Sequence, residues 1–404
     1  MTQREILQAL KDNEPFKGLS NIRVTNLLEQ PEGTQRRFDA KFDLQFGDTK
    51  VEVYIEAKSN CTPKLVEQIG PWLSQMKAMQ KGAAFALVCP ALSPQSQKLC
   101  FERNVDFIDL AGNVFINVPG KLLVQRVGME PRKQTSPSYY RNPFSGKSSR
   151  ILRVLLQKPR AWTLTEITEE LANETRRTEC AGASFEVSFS QASRVLRSLE
   201  EELFVVRRES EVLQPERFES RFSGPPDRFG SRYNPPGFVV ARGSPILVPE
   251  PRRLLGTWAQ EYKDRYRWYL RRSFKIPNPF GAGLQAVREA LDGLLKPQCF
   301  AFTGAAAASV TAPFVDVDPI DLLVSGEARA ENLRASVSGA SVGPDLRVIY
   351  AFDAGAFMYS SLKDGIPVVS DIQAYLDLFA RGGRDLKQAD YLLQTRIEPM
   401  WGNR

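Results

Sequence analysis

Residues 37–60 read Arg37-Phe38-Asp39-Ala40-Lys41-Phe42-Asp43-Leu44-Gln45-Phe46, then Gly47-Asp48-Thr49-Lys50, then Val51-Glu52-Val53-Tyr54-Ile55-Glu56-Ala57-Lys58-Ser59-Asn60. Phe42, Leu44 and Phe46 alternate with Asp39, Lys41, Asp43 and Gln45. Beyond the Gly-Asp turn, Val51, Val53, Ile55 and Ala57 alternate with Glu52, Tyr54, Glu56 and Lys58. Period two on both sides of such a turn predicts a β-hairpin. Pairing Phe46 with Val51 sets Leu44 opposite Val53, Phe42 opposite Ile55 and Asp39 opposite Lys58. The apolar residues then make one face, and Asp39, Asp43, Glu56 and Lys58 project together on the other.

Carboxylates and a lysine in one cleft are what a magnesium-dependent (Mg2+) phosphodiester hydrolase needs. Hard carboxylate oxygens hold the ion, and the ion lowers the pKa of its water. The lysine steadies developing negative charge. The arrangement resembles the PD-(D/E)XK nuclease superfamily, in which an Asp on one strand precedes Glu-x-Lys on the next. That resemblance implies Asp39 or Asp43 as the first carboxylate, Glu56 and Lys58 as the pair, and Gln68 on the following helix. Metal ligation would fall to Asp39, Asp43 and Glu56. Charged residues on a strand are otherwise its solvated face.

Composition narrows the chemistry. The 404 residues are long enough for several domains. They contain no histidine, which excludes Ser-His-Asp and Cys-His catalysis within the chain. Five scattered cysteines, with no Cys-x-x-Cys, speak against disulfides and structural zinc. The absence of a long apolar run or a signal peptide at the start predicts a cytoplasmic protein. A net charge of +7, with arginines dense from Arg207 to Arg272, suggests an anionic partner.

The predicted organisation is an α/β domain over residues 1–130, a winged helix-turn-helix over 147–213, a Pro/Arg-rich linker over 214–245 and a C-terminal α/β domain over 246–404. In the first domain, helix and strand alternate after the hairpin. Asp109, ahead of Gly112-Asn113, reads as a turn-capping residue. In the second, Ile151–Leu156 marks one helix, and Thr163 and Glu166 stand at capping-box spacing for another. Ser188–Leu199 marks a third, with a wing at Phe204–Arg208 and Val212-Leu213. Ser190, Gln191, Ser193, Arg194 and Arg197 are the expected DNA-reading residues, and Arg207 and Arg208 the expected phosphate contacts. The stretch from Asn173 to Phe185 reads as an insertion between helices two and three.

In the C-terminal domain, Trp258, Tyr262, Tyr266, Trp268 and Tyr269 lie among arginines on one helix. They read as base-stacking residues or, at helical spacing, as a packing stripe. Gly304 with Asp318-Pro319-Ile320-Asp321 partly matches a nucleotidyltransferase pattern. Pro319 stands where the first Asp belongs, so it reads as a mimic.

Over most of its length the chain resembles the long bacterial AbiEi-like proteins, grouped with type IV toxin–antitoxin antitoxins and transcriptional regulators. The stretches that carry the resemblance include Glu56-Ala57-Lys58-Ser59, Phe107–Asn113, Asn142-Pro143-Phe144 and Ser149–Leu156. Thr303–Ala307, Asp364–Ser370, Ala374–Leu378 and Gly382-Gly383-Arg384 add to it near the end. It implies operator binding to double-stranded DNA, an AbiEi-like C-terminal module and a cognate nucleotidyltransferase-type toxin as partner. On this reading the protein is a DNA-binding regulator or antitoxin with an accessory nuclease-like domain. The alternative is a magnesium-dependent endonuclease targeted by the winged helix.

Overall fold

The computed structural model describes residues 1–29, 38–129, 142–178, 184–207, 244–295, 299–351 and 353–402. They form two compact units, Met1–Tyr139 with Glu200–Leu203, and Tyr140–Leu199 with Phe204–Arg404.

The first unit begins with α1 (Gln3–Lys11), started by a Thr2/Glu5 capping box. A meander follows: β1 (Ile22–Glu29), β2 (Ala40–Phe46) and β3 (Thr49–Ala57). Then come α2 (Pro63–Met79), β4 (Ala84–Cys89), α3 (Pro94–Glu102), β5 (Asp106–Asp109), β6 (Val114–Val118) and β7 (Leu122–Arg126). The seven strands lie in chain order in one sheet. β3, β4 and β5 are parallel and the remaining neighbours antiparallel. Parallel strands need crossovers, and α2 and α3 supply them. β4 is buried along its whole length, as its continuous apolar run predicts.

Two apolar layers cover the sheet. Ile6, Leu7 and Leu10 of α1 pack with Phe42, Leu44, Val51, Val53 and Ile55. Val66 and Leu73 of α2 pack on the opposite side with Phe38, Tyr54, Phe85 and Leu87. Tyr54 and Phe85 stack at 5.2 Å on that side.

The hairpin forms with a register two residues tighter than expected. Phe46 pairs with Thr49, Leu44 with Val51 and Phe42 with Val53. Gly47, at φ +57°, takes the positive-φ position of a two-residue turn, so the strands close earlier. A slip of two leaves every side chain on its expected face.

The second unit contains α4 (Gly146–Gln157), α5 (Leu164–Arg177) and α6 (Phe189–Glu201) as far as Leu199, followed by β8 (Val206–Arg207) and β9 (Ile246–Leu247). Asn173–Arg177 is not an insertion but the last turn of α5. The expected strand at Val212-Leu213 and the linker 214–243 lie outside the described residues, as does Arg208. Val206 instead pairs with Leu247, and Arg207 with Ile246, both antiparallel. Trp162, between α4 and α5, exchanges both backbone hydrogen bonds with Ile246, at 2.6 and 2.9 Å. Three helices and three short extended segments are thereby joined, one segment coming from between the first two helices.

The chain continues through α7 (Pro251–Arg272), β10 (Phe274–Ile276), α8 (Leu284–Asp292), β11 (Phe300–Phe302), α9 (Gly304–Thr311) and β12 (Ile320–Val324). It ends with α10 (Glu327–Ser336), β13 (Leu346–Tyr350), β14 (Ser361–Lys363), β15 (Ile366–Val368), α11 (Asp371–Arg381), α12 (Arg384–Leu392) and α13 (Glu398–Gly402). The six-stranded mixed sheet has the order β10-β13-β12-β11-β15-β14. α11 is buried almost throughout, packed by α7, α9 and α12. One apolar core runs from Ile151 and Leu196 to Phe302, Val348 and Leu376, so the three helices and the C-terminal sheet share an interior.

Among the described residues, no helix is long and apolar enough to cross a membrane. The cysteines among them, Cys61, Cys89, Cys100 and Cys299, are buried free thiols.

Candidate nuclease-like site and nucleic-acid interface

β2 and β3 deliver the carboxylates. Asp39 stands just ahead of β2, where its N–H donates to the Ile55 carbonyl at 3.0 Å. Its Oδ2 accepts from the Ala57 N–H at 2.8 Å. That bond replaces a ladder partner at the end of β3 and holds the Asp39 carboxylate against Glu56-Ala57-Lys58. Glu56 and Lys58, two residues apart, share a face, and their side chains meet at 2.5 Å, half-buried. Lys58 N–H donates to the Val88 carbonyl at 2.8 Å, which ties the site to β4.

Asp43 is elsewhere. It pairs across the ladder with Glu52, four residues along β2 from Asp39, or about 13 Å. Lys50 Nζ meets its Oδ2 at 2.9 Å and Asn26 Nδ2 donates to the same oxygen at 2.7 Å. Burial pushes its pKa up, but these two donors outweigh it and leave the carboxyl below its usual range. Gln68 sits exposed on α2 and makes no hydrogen bond to Asp39, Glu56 or Lys58.

The structure thus brings together Asp39, Glu56 and Lys58, leaves Asp43 outside, and gives Gln68 no bond to them. Nothing in the sequence announced Asn26. The β1–β2 register shifts between Thr25 and Leu28, which breaks the alternation by which a strand is read.

Asp109 is the expected turn cap. Its carboxylate accepts from the backbone N–H of Leu92, Gly112 and Asn113 and from Asn113 Nδ2, at 2.8–3.0 Å. Its acceptor sites are filled by structure, not left for chemistry. The neighbouring buried Asp106 pairs with Lys77 at 2.6 Å.

Two hard carboxylate donors beside one ammonium fit a small divalent cation, with water or substrate filling the rest of its shell. No cluster of three or more acidic or cysteine side chains able to hold a metal occurs among the described residues. Any ion at Asp39 and Glu56 therefore has at most two carboxylate ligands from these residues.

On α6, Ser190, Arg194 and Arg197 are exposed at spacings of four and three, making one polar stripe. Ser193 and Gln191 are half-buried, and the Gln191 side-chain nitrogen is buried. The opposite face, Ala192, Val195, Leu196 and Leu199, enters the core. Arg207 lies on β8.

The aromatic helix resolves as packing. Trp258 and Tyr266 are each 1% exposed, and of the five aromatic residues Trp268 alone is largely exposed. Asp321 is likewise structural. It is fully buried, bonded by Arg347 Nε at 2.6 Å and by Arg381, so the transferase pattern is a mimic in space as well as in sequence.

No family model matches the chain, and no curated protein matches it. Among solved structures it is similar to EndoMS in its apo form, with 14% identity, 27% of this chain covered and a TM-score of 0.20. It is also similar to a repair endonuclease from Pyrococcus abyssi, with 16% identity, 25% covered and a TM-score of 0.19. The chain spans 46% of the length of each. At this level of similarity neither likeness identifies a fold or a function.

Proposed function

We propose that the chain acts on DNA, with a metal-dependent phosphodiester hydrolase site at Asp39, Glu56 and Lys58. The observation that carries this reading is the Asp39–Ala57 hydrogen bond, which fixes one carboxylate beside the Glu-x-Lys segment of the next strand. Asp39 and Glu56 would hold a magnesium ion, which when bound polarises the phosphodiester and acidifies water. Lys58 places an ammonium beside the carboxylates, where negative charge grows as the phosphorus–oxygen bond breaks. Its pairing with Glu56 keeps that ammonium in place before substrate arrives.

Three helices with strands closing behind them support a winged-helix reading of the α4–β9 segment. The Trp162–Ile246 pairing then supplies the strand between helices one and two. α6 would lie in the major groove with Ser190, Arg194 and Arg197 toward the duplex. The same module supports a second reading, a regulator or antitoxin of AbiEi type that binds its operator without cutting it.

Cleavage separates the two. Plasmid and short duplexes are incubated with magnesium or manganese, wild type beside Lys58→Ala. Metal-dependent cutting that Lys58→Ala abolishes supports the hydrolase. Intact but retarded DNA with both proteins leaves the regulator and removes the hydrolase.

A further inference from the structure

Between α4, α7 and β13 lies a cavity of about 50 Å³, lined by Arg153, Trp258, Tyr262, Tyr266 and Asp377 among others. That volume holds several water-sized spheres. Arg153 reaches it from the middle of α4, where it is 5% exposed. Its Nη2 donates to Gln373 Oε1 at 2.7 Å, and its guanidinium lies 5.0 Å from the centre of the Trp258 ring. No carboxylate among the described residues pairs with it. Its Nε and Nη1 are buried without a partner, and so are Trp258 Nε1 and the Tyr266 hydroxyl. Trp258 and Tyr266 are each 1% exposed.

Asp353 and Asp377 act on the Arg153 charge through space, but a buried guanidinium that no carboxylate contacts is costly, and so is each buried donor without an acceptor. Four such atoms belong to three residues lining one cavity. The carboxylates on the same wall are already engaged. Asp377 accepts from Tyr262 (2.7 Å), Gln373 (2.8 Å) and Thr303. Asp353 accepts from Arg150 (3.2 Å) and the Gly355 N–H (2.6 Å). Arg265, also on the wall, donates to the Phe144 carbonyl. Both bonds to Asp353 go to its Oδ1, and its Oδ2 lies near Gly146, whereas the buried unmet atoms at the cavity are N–H and O–H groups, one residue among them carrying positive charge.

α4 adds a second contribution. Its first turn lines the cavity through Ser145, Gly146 and Ser149, and no side chain caps it. Gly146, Ser149 and Arg153 fall at spacings of three and four, so one face of this helix presents both its N-terminal end and the guanidinium. The N-terminus of a helix attracts negative charge.

We propose that this cavity binds a small oxyanion, either free phosphate or the phosphoryl group of a larger molecule. The site is independent of the one at Asp39. Arg153 supplies the charge, and Trp258 Nε1 and the Tyr266 hydroxyl supply neutral donors to the anion's oxygens.

The test is calorimetric titration and thermal melting of the full chain with sodium phosphate, with adenosine monophosphate, and with sodium chloride at matched ionic strength. Wild type, Tyr266→Phe and Arg153→Gln are compared. Tyr266→Phe removes one hydroxyl and keeps the packing, so it remains informative if Arg153→Gln fails to fold. The expected result is a saturable rise in melting temperature with phosphate or the nucleotide beyond that with chloride. Tyr266→Phe should weaken binding roughly ten-fold, the loss of one hydrogen bond to a charged group. Tighter binding of the nucleotide points to a phosphoryl-bearing molecule, and equal binding to the free anion. The proposal is overturned if neither anion exceeds chloride. It is equally overturned if Tyr266→Phe binds as wild type does, which would leave water as the cavity's occupant and exposed arginines as the anion's site.

Discussion

The Asp39 carboxylate accepts the Ala57 N–H at 2.8 Å, across the gap between the start of β2 and the end of β3. One oxygen therefore holds the backbone, while Oδ1 receives no bond from any described residue. Asp39→Asn keeps an amide oxygen for Ala57 and loses the charge. It should melt within a few degrees of wild type and lose metal-dependent cleavage. Asp39→Ala orphans the Ala57 N–H as well, at a cost of about 1–3 kcal/mol. Equal cleavage by wild type and Asp39→Asn would remove Asp39 from the site.

Asp43 provides the internal control. Its oxygen is taken by Lys50 and Asn26 near the hairpin turn, away from Glu56. Asp43→Ala should keep wild-type cleavage within about two-fold, because it neither touches nor orients the Asp39–Glu56–Lys58 group. Loss of cleavage with an unchanged melting temperature would transfer the first carboxylate's role from Asp39 to Asp43.

On α6, Arg194 and Arg197 are exposed along the stripe assigned to DNA. The double variant Arg194→Ala/Arg197→Ala should weaken duplex binding in the absence of divalent metal. The slope of log affinity against log salt should become shallower by about one for each phosphate no longer neutralised by an arginine. An unchanged slope would place the DNA surface elsewhere.

Glu166 closes the capping box of α5 and meets Arg160 at 2.8 Å. The Arg160 hydrogen bond, aided by those from Thr163, pulls its carboxyl from 4.5 down to about 2. A lowered folded-state pKa gives stability that is complete above the unfolded value and disappears as pH falls through the folded one. The difference in urea midpoint between wild type and Glu166→Gln should thus be full at pH 6 and shrink steadily from pH 4.5 toward 2. A constant difference over that range would mean that the charge contributes nothing. The group is partly exposed, so the effect at neutral pH is small.

Asp321 joins Arg347 and Arg381 at the centre of the C-terminal sheet. Asp321→Asn keeps the volume and leaves the Arg347 guanidinium without its carboxylate, while Arg381 retains Asp385 at 2.8 Å, at a cost of about 3–5 kcal/mol. A urea titration following the tryptophans should show a clearly lower midpoint. An unchanged midpoint would mean that Arg347 finds another partner.

Local pattern carried the hairpin. Phe42, Leu44, Val51 and Val53 alternate with charged neighbours, and such alternation survives in sequence because one sheet face is buried and the other is not. Register did not survive, since a slip of two leaves the pattern unchanged. Gly47's positive φ, a property of the folded turn, decided it. β1 was hidden by its irregularity at Asn26, and β10, β14 and β15 by their length of three residues.

By itself the sequence determined the residue types available for chemistry. With no histidine, the chemistry falls to carboxylates, lysine, arginine, tyrosine or thiols, and Glu56 and Lys58 are bound to one face by their spacing. Tertiary structure alone decided which aspartate joins them. Asp39 and Asp43 have the same parity along β2, and only pairing with β3 distinguishes them. It also decided that Arg153 lies buried with unmet donors beside a cavity. That placement depends on α7 and β13, more than a hundred residues away in the chain. Pairings at that separation leave no periodicity in a local stretch, because the residues that meet share no window of sequence.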